Sequence, residues 1–140
     1  MLFFVPGTST PATVSGFGAV FTDVDLTNTT SIQYFSAANT SLGTFFVPAT
    51  VGSETFSFLG VLFDTGERVA RVRITNGNTA LGAGVTDQNG ATRDLVVMDD
   101  FLYSEPSAVP EPGSSALVAI GLAVSGTAAV WLRRGRRPIH

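Results

Sequence analysis

Before residue 113 the side chains with the most chemical reach are carboxylates. Asp23, Asp25, Asp64, Asp99 and Asp100 lie in or beside apolar runs, where two acids could flank a glycosidic bond or several could gather round a hard cation. No spacing among them selects a catalytic pair, and solvated turn acids are the plainer reading. His140 is the only histidine and stands at the end of the chain, and there is no cysteine. A Ser-His, Cys-His or metal-histidine site therefore cannot be assembled in the body. Gly16-Phe17-Gly18 and Gly82-Ala83-Gly84 lack the third glycine and the following helix of a dinucleotide fingerprint, and no Gly-x-Ser-x-Gly elbow is present. The body is expected to be non-enzymatic.

Calcium is the one cofactor the acids bring into view. Asp23 and Asp25 are two residues apart at the end of an extended run, so their side chains leave on one face. Asp99 and Asp100 are adjacent in a strand pattern and should point to opposite faces. One of them is then expected to point inward, Asp99 among Leu95, Val97 and Phe101 or Asp100 beside Val96, Met98 and Leu102. A buried carboxylate needs an arginine such as Arg71 or Arg73, main-chain N–H groups, or a cation that takes about six to eight oxygens. No continuous D-x-[DN]-x-[DN]-G loop is present, so the four aspartates are calcium candidates only through the fold.

The C-terminal end is more explicit. Val109-Pro110-Glu111-Pro112 is followed by uncharged residues from Gly113 to Leu132 and then by Arg133-Arg134-Gly135-Arg136-Arg137. A helix over 113–132 would rise about 30 Å, the thickness of a bilayer's hydrocarbon core. Trp131 and the arginines at its end place the C-terminus in the cytoplasm by the positive-inside rule. The prolines keep the backbone around Glu111 extended and out of helix or sheet, which exposes it to a processing enzyme. Gly121 and Ser125 form one small-xxx-small pair, ordinary for such a span.

This arrangement resembles the PEP-CTERM sorting signal of exported bacterial proteins, in which a Pro-Glu-Pro motif precedes a hydrophobic helix and an arginine-rich end. The resemblance covers about a fifth of the chain. It implies recognition by an exosortase, an integral-membrane cysteine transpeptidase, and delivery of an inner-membrane-anchored precursor to the cell envelope or extracellular matrix. A plain C-terminal anchor that is never cut is the competing reading.

Charge and composition agree with an exported body. Up to Pro112, four arginines against eleven carboxylates leave −7, and the tail adds +4. An acidic body is unsuited to nucleic acid, whose phosphates need a basic face. Met1 to Val5 is apolar but short and unpreceded by a basic residue, so it reads as part of a strand, with leading strands and a signal peptide expected upstream.

Between residues 8 and 103 the pattern is β throughout. Strands are expected near 12–22, 30–36, 43–48, 55–63, 67–75 and 93–103. Ala70, Val72 and Ile74 alternate with Arg71 and Arg73, and Ile32 and Tyr34 flank Gln33, as half-buried strands require. Residues 55–63 are apolar on both faces and are expected to form a central strand. Asn76-Gly77 is read as a two-residue hairpin and Asn89-Gly90 as a second turn. Asn28-Thr29-Thr30 and Asn39-Thr40-Ser41 match the glycosylation sequon but are read as turns.

These features predict an antiparallel β-sandwich of jelly-roll type, incomplete at its front, over 1–105, then an exposed linker over 106–112, a transmembrane helix over 113–132 and a basic tail over 133–140. The segments Gly16 to Asp25, Phe58 to Val61, Ala70 to Ile74 and Val97 to Phe101 resemble secreted bacterial β-sandwich domains found with this signal, and the Asp-Asp-Phe strand is similar to that of jelly-roll carbohydrate-binding modules. Two functions follow: a matrix or envelope component, or a module for extracellular polysaccharide. For the second, exposed aromatics such as Tyr34 or Phe35 would stack on sugar rings, although core packing is the plainer reading of both; aligned aromatics on one sheet face would favour it and a smooth polar face the matrix role.

Overall fold

The computed structural model describes residues 1–86 and 92–110. Among these the chain is mainly β, without a helix: β1 (Phe3–Phe4), β2 (Pro11–Thr13), β3 (Gly16–Thr22), β4 (Ser31–Phe35), β5 (Ser41–Phe46), β6 (Phe56–Leu62), β7 (Arg71–Thr75), β8 (Val97–Tyr103) and β9 (Ser107–Ala108). They form three antiparallel sheets of three strands, in the orders β1-β2-β9, β6-β3-β8 and β5-β4-β7. A compact unit runs from Met1 to Val109.

The core follows from strand alternation. Phe17, Ala19 and Phe21 of β3, Ile32 and Tyr34 of β4, and Val72 of β7 are all buried, whereas the residues between them on β4 and β7 are less so. The two larger sheets thus bury one face each in a common core, an arrangement consistent with a β-sandwich. Tyr34 joins them. Its ring meets Phe45 and Phe63 edge-on at 5.7 and 5.5 Å, and its hydroxyl donates 2.9 Å to the carbonyl of Phe17 in the opposite sheet. A buried phenol must find an acceptor, and a main-chain oxygen supplies it.

Three expectations need correction. The run 12–22 is two strands, because the chain changes sheets at Val14 and Ser15: Val14 exchanges both main-chain hydrogen bonds with Val69, and the Ser15 amide donates to Ser104 Oγ at 2.7 Å. The two-sided apolar strand β6 is not central. It pairs with β3 alone at one edge of its sheet, and β3 is the middle strand. Asn76-Gly77 does not turn a hairpin, since the next strand after β7 is β8, paired with β3. Gly77 has φ +55° and packs so closely on the Asp94 carbonyl that a Cβ would lie 2.1 Å from its oxygen, so only glycine fits this corner. Asn89-Gly90 lies outside the described residues, while Asn28 and Asn39 occupy left-handed turn positions, φ +64° and +61°.

Candidate functional site

The four calcium candidates do not converge. Asp23 follows β3 at φ +55°, and its Oδ1 accepts from the Thr55 amide at 3.3 Å, closing the turn into β6. Asp25 is buried; its Oδ1 accepts from the Gly52 amide at 2.8 Å and its own amide donates 2.8 Å to Asp94 Oδ1. Asp99 and Asp100 are both exposed. The expectation that one must face inward assumed an unbroken strand, but β8 is bulged. Val20 pairs with Asp99 and Ala19 with Phe101, leaving Asp100 as the extra residue at φ +50° with its amide on Asp99 Oδ1 at 2.9 Å. The bulge turns both carboxylates to water, removing the burial that called for a cation. Among the described residues no group of three metal-binding side chains stands together.

The buried acid is instead Asp94, fully enclosed just before β8. Its carboxylate accepts from the Asp25 amide and the Thr29 hydroxyl, its amide donates to Asn78 Oδ1 at 2.8 Å, and its carbonyl accepts from the Asn78 amide at 3.2 Å. Thr30, also buried, accepts from the Gly77 amide at 2.9 Å. These bonds tie together the loops that follow β3 and β7 and the segment entering β8. The sequence did carry the signal: Asp94 shares the parity of Val96 and Met98, the inward side of the run it begins.

Of the sorting residues, Val109 and Pro110 are described; Glu111, Pro112, Trp131, Arg133, Arg134, Arg136 and Arg137 lie outside the described residues, as does the expected span 113–132. No helix among the described residues is long and apolar enough to cross a membrane. Pairing extends past residue 105, where the sequence pattern ended the body. Ala108 and Ser107 pair with Ala12 and Thr13, and the Val109 amide donates 3.0 Å to the Pro11 carbonyl. The backbone is therefore held up to the residue before Pro110.

The glycan-stacking candidates are occupied. Tyr34 is in the core, and burial pushes its hydroxyl up to about 12, with a main-chain hydrogen bond from Val61 pulling partly back. Phe35 lies under Arg71, whose guanidinium carbon is 3.8 Å from the ring centroid and whose Nη2 donates to Asn39 Oδ1 at 2.5 Å.

Uncovered aromatics sit elsewhere, on the outer face of the β6-β3-β8 sheet. Register places Phe56, Thr22 and Val97 in one row, Phe58, Val20 and Asp99 in the next, and Gly60, Gly18 and Leu102 in the third; Leu62 stands beside Gly16. Phe56 and Leu62 are each 70% exposed, Phe58 and Leu102 each 55%. The glycines lower the floor, and an open trough of about 310 Å3 lies over Gly16, Gly18 and Gly60 between Leu62 and Leu102. Phe58 leans along it, its ring so close that a Cβ on Gly60 would meet it at 2.7 Å. This face explains why 55–63 is apolar on both sides: one side faces the core and the other faces out.

Comparison with family models, with curated proteins and with solved structures found no match.

Proposed function

We propose that this chain is a non-enzymatic exported protein: a jelly-roll-like sandwich followed by a transmembrane helix over 113–132 and a basic cytoplasmic tail, addressed by its PEP-CTERM-like signal to an exosortase-type enzyme and delivered to the envelope or extracellular matrix. The observation that carries the reading is where the body ends. Its compact unit closes at Val109, and its last strand pairing among the described residues is at Ala108, so the Pro-Glu-Pro motif begins just past that strand. A processing enzyme that grips extended backbone would meet the motif without unfolding the body.

Mass spectrometry of the envelope fraction tests the reading. In a host with an exosortase the mature protein is expected to lack the peptide covering Trp131, and to keep it when the enzyme is deleted or when Pro110-Glu111-Pro112 is replaced by alanines. Recovery of that peptide from fully exported wild-type protein would establish the plain anchor instead.

The second reading, a glycan-binding module, has one observation in its favour: Phe56 and Phe58 stand two residues apart on one exposed face. Sugar rings also present hydroxyls that need partners beside the aromatic platform. The three rows of that face offer two polar side chains, Thr22 and Asp99, among otherwise apolar residues and glycines. So few polar partners beside the two rings count against this second reading.

A further inference from the structure

An asparagine followed by glycine carries a reaction of its own. With no side chain on Gly77, its amide nitrogen can swing onto the side-chain carbonyl carbon of Asn76, whereas the β-branched threonines after Asn28, Asn39 and Asn78 crowd that approach. The nitrogen bonds to the carbon, the side-chain nitrogen leaves as ammonia with the proton of the Gly77 amide, and water opens the ring to aspartate or, at its other carbonyl, to isoaspartate. The Asn76 side chain is exposed, but the nitrogen that must attack it is held. The Gly77 amide donates 2.9 Å to the hydroxyl of buried Thr30, and Gly77 sits at φ +55° so close to the Asp94 carbonyl that a Cβ would not fit. The chain is fixed on both sides: Thr75 pairs with Ser31 of β4, and Asn78 bonds the Asp94 amide and carbonyl and the Thr92 carbonyl. Turning the Gly77 peptide group towards the Asn76 side chain must therefore break the Thr30 bond and push Asp94 aside.

We infer that Asn76 is a deamidation site latched by Thr30: it converts only when the corner formed by Thr30, Gly77, Asn78 and Asp94 opens, and conversion then keeps the corner from closing. Isoaspartate carries the main chain through the side chain and adds a carbon ahead of Gly77, where the Asp94 carbonyl leaves no space for one. The body thus records in covalent form how often this junction has opened. The inference concerns the body alone and stands whether or not the C-terminal signal is processed.

The test incubates the full-length chain at mildly alkaline pH, folded and in urea, with peptide mass mapping whose fragment ions separate Asn76 from Asn78 and Asn89. Folded wild type is expected to convert at Asn76 more than about tenfold more slowly than the unfolded chain. Thr30→Val keeps the shape of the buried side chain and removes the acceptor, so it should raise the folded-state rate by about tenfold, while Thr30→Ser should leave it as in wild type. Tyr34→Phe, weakened at a distance from the corner, should also leave it unchanged. Should Thr30→Val not fold, hydrogen exchange in the wild type gives the same answer: the Gly77 amide is expected to be protected, but less than that of Val69, whose bond to Val14 lies in the core. Equal conversion of folded and unfolded chains overturns the inference, as does a Thr30→Val chain, shown folded by its melting curve, that converts no faster than wild type. Equal acceleration in Tyr34→Phe overturns it too, by assigning the conversion to unfolding of the whole body. So does a Gly77 amide that is unprotected, or one as protected as that of Val69.

Discussion

The two larger sheets solve the same problem in opposite ways. Each buries one face in the core, but the outer face of β5-β4-β7 carries Gln33, Arg73 and Thr44 in one row and covers Phe35 with Arg71, leaving Phe46 half exposed at its end. The outer face of β6-β3-β8 leaves Phe56 standing out and lays the half-exposed ring of Phe58 over Gly18 and Gly60. An arginine laid over a ring removes apolar surface from water without burying its own charge. A glycine floor does the reverse, bringing backbone within reach of whatever settles there. One face caps an aromatic ring with a charged side chain, and the other beds one on bare backbone.

The largest effect should come from filling the floor. A Cβ on Gly18 would lie 2.9 Å from the Gly60 Cα and the Leu59 carbonyl, both backbone atoms that cannot yield without parting β3 from β6. Gly18→Val is therefore expected to cost about 3 kcal/mol in chemical denaturation. Wild-type stability in that variant would mean the sheet is looser there than its register implies.

Next comes the link between the sheets. Tyr34→Phe removes the hydroxyl that reaches Phe17 and should cost about 1–2 kcal/mol. It should also change the alkaline limb. Burial raises Tyr34 from 10.0 to about 12, so the folded state holds the proton more tightly than the unfolded one. That contribution is complete below pH 10 and is lost as pH rises through 12. Unfolding followed from pH 9 upward should show this loss in the wild type and a flatter limb in Tyr34→Phe.

The smallest effects sharpen the contrast itself. Arg71→Ala uncovers Phe35 and should cost about 1 kcal/mol. Phe56→Ser, on a residue that covers nothing in its own copy, should change the stability of the single chain by no more than about 0.5 kcal/mol. Reversed magnitudes, measured under conditions where the chain is monomeric, would show that the uncovered face carries fold stability after all.

Strand composition and alternation located the strands of the two larger sheets but not the third sheet, β1-β2-β9. The alternation at Ile32 and Tyr34, and at Val72 against Arg71 and Arg73, appears in the structure on the faces the sequence pattern assigned. What alternation cannot encode is what lies beyond each face. Phe56, Phe58 and Leu62 read as the second side of a central strand because a one-dimensional pattern does not distinguish a covered apolar face from a bare one. Adjacent acids misled for a related reason. Period-two reasoning holds only while the ladder is regular, and the bulge at Asp100 inserts a residue that resets it. Asp94 was legible by parity, but its partners Asp25, Thr29 and Asn78 come from loops whose meeting depends on the tertiary fold.

The bulge has one more effect, on how far an assembly could grow. Among the described residues β8 is one edge of its sheet, and there the extra residue and two exposed carboxylates break the row of main-chain groups that another strand would need. β6, the other edge among the described residues, runs seven residues from Phe56 to Leu62 without a charge or a proline. A sheet open at both edges can add strands indefinitely, whereas one closed at β8 can add a neighbour only at β6. If two such edges met, the joined sheet would present β8 at each end and growth would stop at a pair.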